Sequence, residues 1–433
     1  MKPHTFAIHT LGCKLNTYES DSIAGAMKEA GFREVDFTEP ADVYIINTCT
    51  VTNMADRKSR QMLHRARKLC PDALIVAAGC YVDALSLDAE RKGEEPAMPE
   101  GIDMAVPNRD KGLLVQRVLE RLGEAEPDEA PACGGLFVKE LDGHTRAFIK
   151  VQDGCDLFCS YCIIPFVRGR SVIRPQAEVL EEVRGLAERG VCEAVLTGIN
   201  VSALGMGVAE IVEGIEQIPG IRRIRLSSLE PELITEPFVE RLAACGKLCP
   251  HFHLSLQSGS ASVLKRMNRH YTPEQYLKCL ELLRSAFVHP AVTTDIIAGF
   301  QGETDEEFRE TLDFVREAQF YEAHVFKYSM RAGTVAARRK DQVPEEIKKE
   351  RSAALIRQAA LQSHAFRSYY LGKELEFLCE EEILIGGKPH VTGFTKEYVR
   401  CVREGSAPVN SLVSGHATEI FKEKNIDEYL FIQ

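Results

Sequence analysis

Three short apolar runs punctuate the first eighty residues: F-A-I-H-T-L-G-C, D-V-Y-I-I-N-T-C and A-L-I-V-A-A-G-C. Each reads as a short buried strand, and each stops at a cysteine: Cys13, Cys49 or Cys80. Apolar positions recur with helical spacing between them, from Thr17 to Ala30 and from Asp56 to Lys68. Strand, helix, strand, helix, strand predicts a parallel sheet. Ligands of such sheets bind in the crevice outside the carboxyl ends of the strands. The three cysteines would therefore meet at one edge, as a candidate three-thiolate metal site built from residues 31 to 36 positions apart. The competing reading is three unrelated small residues at strand ends.

Further along, R-A-F-I-K-V-Q, E-A-V-L-T-G, R-I-R-L-S-S, H-F-H-L-S-L-Q, V-T-T-D-I-I-A-G-F and A-H-V-F-K-Y-S alternate with helical stretches. Six β/α repeats predict a parallel barrel, and six rather than eight predicts an incomplete one, with its chemistry at the carboxyl ends of the strands. From about residue 371 the pattern changes to short runs alternating apolar with polar, such as E-L-E-F-L-C-E and Y-V-R-C-V-R, with glycines at the turns. That predicts a small antiparallel β-barrel. The acidic stretch G-E-A-E-P-D-E-A-P-A-C-G-G has no apolar period and reads as a linker. The expected division is 1–122, linker 123–140, 141–370 and 371–433, an α/β architecture with a β-barrel appended.

Composition narrows the setting. A chain of 433 residues has enough apolar content for several cores. Its 14 cysteines are scattered behind a start without an apolar signal region, which points to a reducing, cytoplasmic compartment. No apolar run approaches the ~18 residues of a membrane span. A net charge of −11 argues against indiscriminate nucleic-acid binding. Against that background, Arg57, Lys58, Arg60, Arg65, Arg67 and Lys68 stand on one predicted helix with no acidic residue among them. Such a run is usually a solvated face; it also directly follows the Cys49 loop, where a polyanionic substrate could be drawn in. The carboxyl-terminal segment has the opposite bias, seven Lys or Arg against eleven Asp or Glu.

The most specific chemistry lies where the first central strand ends, in V-Q-D-G-C-D-L-F-C-S-Y-C-I-I-P. Cys155, Cys159 and Cys162, spaced C-x3-C-x2-C, supply only three corners of a metal centre. A closed zinc site wants a fourth ligand, whereas a 4Fe-4S cluster held by three cysteines leaves one iron open. No G-x-S-x-G elbow, H-E-x-x-H pair or Walker-type loop is present, so hydrolytic chemistry is not indicated.

The Cys155 motif resembles that of the radical S-adenosylmethionine (SAM) enzymes, and Tyr161 fits their pattern. With G-C-K-L-N-T-Y-E-S, N-T-C-T-V-T-N-M-A-D-R-K-S-R and A-A-G-C-Y, the chain resembles the methylthiotransferases. The resemblance implies two 4Fe-4S clusters, one on Cys155, Cys159 and Cys162 and an auxiliary one on Cys13, Cys49 and Cys80. It implies SAM at the strand ends, with Gly198, Asn200, Gln257, Asp295 and Gly299 as loosely matching contacts. Arg168, Arg170, Arg174 and Arg269 match family motifs as possible neutralisers of carboxylate or phosphate, solvation being their default. The final barrel takes the place of an RNA-binding TRAM domain. The K-L-N-T-Y-E-S stretch most resembles enzymes acting on N6-threonylcarbamoyladenosine at position 37 of tRNA. Enzymes for N6-isopentenyladenosine, or for an aspartate of ribosomal protein S12, are the alternatives, and a non-catalytic RNA-binding iron-sulfur protein is a third. The implied partners are a tRNA anticodon stem-loop and an electron donor such as flavodoxin or ferredoxin; the sulfur donor stays open.

Overall fold

The computed structural model describes residues 4–95, 101–123, 136–138, 145–422 and 428–433, so most of the expected linker lies outside the described residues. The chain forms two compact units. The first comprises Met1–Asp142, Phe148–Arg174 and Ser329–Arg338; the second comprises Gly143–Ala147, Pro175–Tyr328 and Arg339–Gln433. The predicted Cys155 loop thus belongs to the same unit as the amino-terminal sheet.

In the first unit, β1 (Thr5–Thr10), α1 (Lys14–Glu29), β2 (Arg33–Glu34), β3 (Val43–Thr48), α2 (Asn53–Leu69), β4 (Leu74–Gly79), α3 (Cys80–Lys92), β5 (Met104–Val106) and α4 (Leu114–Leu122) follow in order. The strands make one parallel sheet in the order β2-β1-β3-β4-β5. Every residue of β3 and β4 is buried, which is why their sequences are near-continuous apolar runs rather than alternating ones. Phe6, Val43, Ile45 and Val76 pack under Ile23 and Met27 of α1 and Leu114 and Val118 of α4. Ala7, Tyr44, Ile46 and Ile75 face the other way, against Leu63 and Ala66 of α2 and Tyr81 of α3. Two helix boundaries differ from the periodic pattern because caps decide them. α2 starts at Asn53, where the Thr52 hydroxyl accepts the Ala55 N–H. α3 runs to Lys92 before Gly93 turns left-handed, so the polar stretch from Asp88 to Lys92 is helical.

In the second unit each of the predicted runs after the cysteine loop forms a strand. Glu193–Thr197 pairs in parallel with Arg223–Leu226, and Ser228–Leu229, His251–Leu254, Ala291–Ala298 and Glu322–Lys327 pair in parallel in sequence order. A 24-residue helix, Glu345–Ser368, leads to a closed five-stranded barrel spanning Glu374–Ile432. The barrel's core continues into Ala291, Tyr321 and Tyr370. Two buried arginines anchor it: Arg223 donates to the Phe394 and Glu376 carbonyls, and Arg225 to those of Thr395 and Lys396. Among the described residues no helix is long and apolar enough to cross a membrane.

The helix Asp305–Ala318 opens with a reciprocal capping box between Thr304 and Glu307. Hydrogen bonds from Arg266 outweigh partial burial and, with Ser262 and the Thr304 N–H, hold the Glu307 carboxyl down to about 2. The folded value is depressed, so the stabilisation is present above the unfolded value near 4.5 and is lost as pH falls towards 2. Glu307→Gln should cost about 2–3 kcal/mol at neutral pH. In urea unfolding, the gap between wild type and variant should close as pH is lowered through that window.

Candidate functional site

The sheet of the first unit delivers Cys13, Cys49 and Cys80 to one edge. Cys13 caps α1 in an extended conformation, Cys49 follows the last residue of β3, and Cys80 is the first residue of α3. Two glycines make the approach possible. Gly12 has φ +109°, and a Cβ there would stand 2.9 Å from Cys49 Cβ and 3.0 Å from its Sγ. Gly79 has φ +94°, and a Cβ there would meet Lys111 Nζ at 2.9 Å. Cys49 and Cys80 are buried while Cys13 keeps an exposed face. Burial pushes the Cys49 thiol up to about 11, and the neighbouring Cys80 and Cys13 add to the rise. Burial raises Cys13 as well, against the pull of Arg168. Three thiols gathered at one sheet edge are well matched to a cationic metal centre, which deprotonates its ligands outright.

The second set of cysteines lies in the same unit. Gly154, at φ +69°, begins the loop; a Cβ there would sit 2.0 Å from the Arg170 carbonyl oxygen, so only glycine lets the chain double back. The returning strand is secured by the Cys155 N–H, which donates to the Gly169 carbonyl at 3.1 Å. Cys155 and Cys159 are buried; Cys162 and Tyr161 are half-buried. Within the turn the Cys162 N–H donates to the Cys159 carbonyl, and Phe158 adopts φ +48°. On the other side, the Ser160 carbonyl accepts the Ala336 N–H at 2.8 Å.

A buried ionic network joins the two cysteine loops. Arg168 is not the solvated side chain that composition suggests: only 1% of it is exposed. It donates to both oxygens of Glu19 at 2.9 and 3.1 Å, to Asn16 Oδ1 at 2.5 Å and to Asp153 Oδ1 at 2.9 Å. Lys111, equally buried, closes on Glu19 from the other side. Burial opposes ionisation of Glu19, but Lys111, Arg168 and Lys150 together outweigh it and hold the carboxyl far below its usual range. Asn16 also donates to the Leu11 and Thr48 carbonyls, just before Cys13 and Cys49. Arg174 reaches the Tyr18 hydroxyl and the Lys150 carbonyl, whereas Arg170 is exposed and pairs with Asp156. Sequence reasoning missed Glu19 and Lys111. One signal for Glu19 was available, since Cys13, Asn16 and Glu19 recur every third residue along one helix face. It missed Arg331 too, which lies outside every motif singled out in the sequence. Arg331 binds Thr50 Oγ1, Asn53 Oδ1 and Asp56 Oδ2 at 2.7 to 2.8 Å, fastening the loop after Cys49.

In the second unit the expected SAM contacts occupy strand ends. Gly198 and Asn200 follow Glu193–Thr197. Gln257 follows His251–Leu254 at φ +67°, donating its N–H to the Asp295 carbonyl at 2.8 Å and accepting the Ile297 N–H. Asp295 sits within its strand, 3.4 Å from His253 Nε2. Gly299, at φ +70°, lies so close to the helix Glu345–Ser368 that a Cβ would meet Lys348 Cγ at 2.4 Å, so its backbone also has a packing reason to be glycine. Arg269 is buried in a pair with Glu230 and hydrogen-bonds the Tyr271 hydroxyl, a structural role instead of a solvated one.

The chain matches the family model for the radical SAM superfamily over residues 149–315 and that for uncharacterized protein family UPF0004 over residues 5–98. It is 39% identical over 416 residues to the threonylcarbamoyladenosine tRNA methylthiotransferase MtaB of Bacillus subtilis, covering 93% of this chain and 91% of the relative. Identity to the protein of the same name from Chlamydia pneumoniae is 37%, covering 98% of each chain. A tRNA-2-methylthio-N(6)-dimethylallyladenosine synthase from Pelotomaculum thermopropionicum is 37% identical over 87% of each. Among solved structures, the radical SAM methyltransferase TsrM from Kitasatospora setae superposes with a TM-score of 0.56 at 16% identity, over 78% of this chain and 77% of that one, a likeness of fold.

Removing Arg168 would leave Glu19 buried with too little compensation. Arg168→Met should cost about 3–5 kcal/mol in urea unfolding. Arg168→Lys, which keeps the charge but loses the two-pronged geometry, should fall between that variant and wild type.

Proposed function

Because the chain belongs to the radical SAM tRNA methylthiotransferases, we propose that it methylthiolates C2 of N6-threonylcarbamoyladenosine at position 37 of tRNA. The observation that carries the chemistry is the presence of two three-cysteine sets in one compact unit, joined through Arg168, Glu19 and Asn16. The substrate rests on K-L-N-T-Y-E-S after Cys13 and on the end-to-end match to relatives named for that nucleoside.

In this reading Cys155, Cys159 and Cys162 hold one 4Fe-4S cluster with SAM, and Cys13, Cys49 and Cys80 hold the auxiliary one. When bound, these groups supply reductive SAM cleavage to a 5′-deoxyadenosyl radical, and the sulfur to be inserted and methylated. The residues around them position and enclose. Gly154 and the Cys155 to Gly169 hydrogen bond fold the first loop tightly enough to present three thiolates from eight residues. Gly12 and Gly79 bring the auxiliary thiolates to the ends of their strands. Arg168 places positive charge beside Cys13 and Cys49. Gly198, Asn200, Gln257, Asp295 and Gly299, with Tyr161, are the proposed SAM contacts, and the barrel of residues 371–433 is proposed as TRAM-like. The anticodon loop must splay its base at position 37 to reach the reacting centre. A flavodoxin or ferredoxin is the proposed electron donor. The acidic balance of the barrel favours one other substrate, an aspartate of ribosomal protein S12.

Nucleoside mass spectrometry decides between them. Cells lacking the protein should lose 2-methylthio-N6-threonylcarbamoyladenosine and regain it on complementation; unchanged tRNA nucleosides with altered S12 peptides would transfer the reading to the protein substrate. Within the enzyme, Cys155→Ala should abolish 5′-deoxyadenosine formation. Cys13→Ala should retain it and lose the methylthio product, and a product from that variant would remove Cys13 from the auxiliary site.

A further inference from the structure

We propose that the outward face of α2 is the surface that grips the sugar-phosphate backbone of the RNA substrate; this rests on the tRNA reading above. Ser59, Leu63 and Ala66 are the buried positions of the helix. The opposite face carries Arg57, Lys58, Arg60, Arg65 and Lys68, all exposed. At 100° per residue these five fall within an arc of about 160°, so they form one continuous cationic surface.

A solvated helix of this composition would ordinarily spread acidic partners along itself. α2 has one acid, Asp56, and it is already engaged: Arg331 Nη1 donates to it at 2.7 Å and the Thr50 hydroxyl at 2.5 Å. Of the basic residues only Arg67 is ion-paired, with Asp103. Among the described residues the other five make no ion pair or hydrogen bond; Arg60 lies over the Tyr81 ring at 5.9 Å. Arg65 acts weakly on Asp36, whose carboxylate is already bonded to the backbone and hydroxyl of Thr38. In a chain of net charge −11, this concentration of uncompensated positive charge is a local exception.

Its placement fits a substrate that must reach the cysteine edge. α2 begins four residues after Cys49 and runs about 25 Å away from that edge. At the cysteine end, Val51 and Met54 are 48% and 57% exposed, an apolar lip beside the cationic face. Phosphates held along the helix would lead the strand toward that lip, where an unstacked base finds apolar surface. The contacts are to backbone, so the grip is indifferent to sequence; selection of the nucleotide belongs elsewhere in the site.

The test is fluorescence anisotropy of a labelled anticodon stem-loop RNA with the full-length, cluster-reconstituted protein across a range of KCl concentrations. The triple variant Arg57→Ala/Arg65→Ala/Lys68→Ala should lower the slope of log affinity against log salt by about two, and weaken binding about a hundredfold near 0.1 M salt. The triple substitution should weaken binding of a stem-loop with a scrambled loop by the same factor. Unchanged melting temperature and iron content establish that the variant is folded, and the single variants Arg65→Ala and Lys68→Ala should each take roughly 0.7–0.9 from the slope. Wild-type binding with an unchanged slope in the variants would overturn the proposal while leaving the tRNA reading intact. Failure of the wild-type protein to bind the stem-loop, with binding of an S12 peptide that contains the target aspartate instead, would overturn both.

Discussion

Glu19, 2% exposed, sits where water cannot solvate it, and the first unit is built around neutralising it. An isolated carboxylate at that depth would cost several kcal/mol or take up a proton. It stays ionised because two buried cations converge on it from different parts of the chain, Lys111 from the amino-terminal domain and Arg168 from the loop beyond Cys162. Arg168 in turn engages Asp153, just before the Cys155 loop, and Asn16, whose amide supports the backbone before Cys13 and Cys49. One charge thereby fixes the ends of two cysteine loops that sequence places more than a hundred residues apart. A two-pronged guanidinium constrains direction as well as distance, which a single apolar contact would not do.

The same logic explains what could be read without coordinates. Cys13, Cys49 and Cys80 were legible because a parallel sheet puts all its strand ends on one side, and buried strands announce themselves as apolar runs. The Cys155 loop was legible because its three cysteines fall within eight residues of sequence. Arg168 and Arg331 were not, since their partners lie 149 and 275 residues away and nothing local distinguishes a buried arginine from a solvated one. The start of α2 was misplaced by three residues for a related reason: apolar periodicity marks the packed face, whereas the boundary is set by one hydroxyl at Thr52.

The carboxyl-terminal barrel shows how charge counts can mislead in the other direction. Its acidic balance is a property of the segment in isolation, yet its inner side receives Arg146, Arg223 and Arg225 from the β/α part of the same unit. Arg146 pairs with Glu380 and stacks on Phe394 and Tyr398, and the other two arginines donate to backbone carbonyls. Part of the acidity is internal complementarity, and the electrostatics presented to a partner differ from the sum over the segment.

The first unit is assembled from three separate stretches of chain, and this bears on the order in which it can mature. During synthesis the sheet with Cys13, Cys49 and Cys80 leaves the ribosome before Arg168 exists, and well before Arg331 arrives to fasten the loop after Cys49. For the time needed to add those residues, Glu19 has Lys111 but not its guanidinium partner, and the loop after Cys49 lacks Arg331. Until residue 331 has been made, the loop after Cys49 lacks the three side-chain contacts that fasten it, so the first unit completes its packing only after residues 175–328 of the second unit have been synthesised.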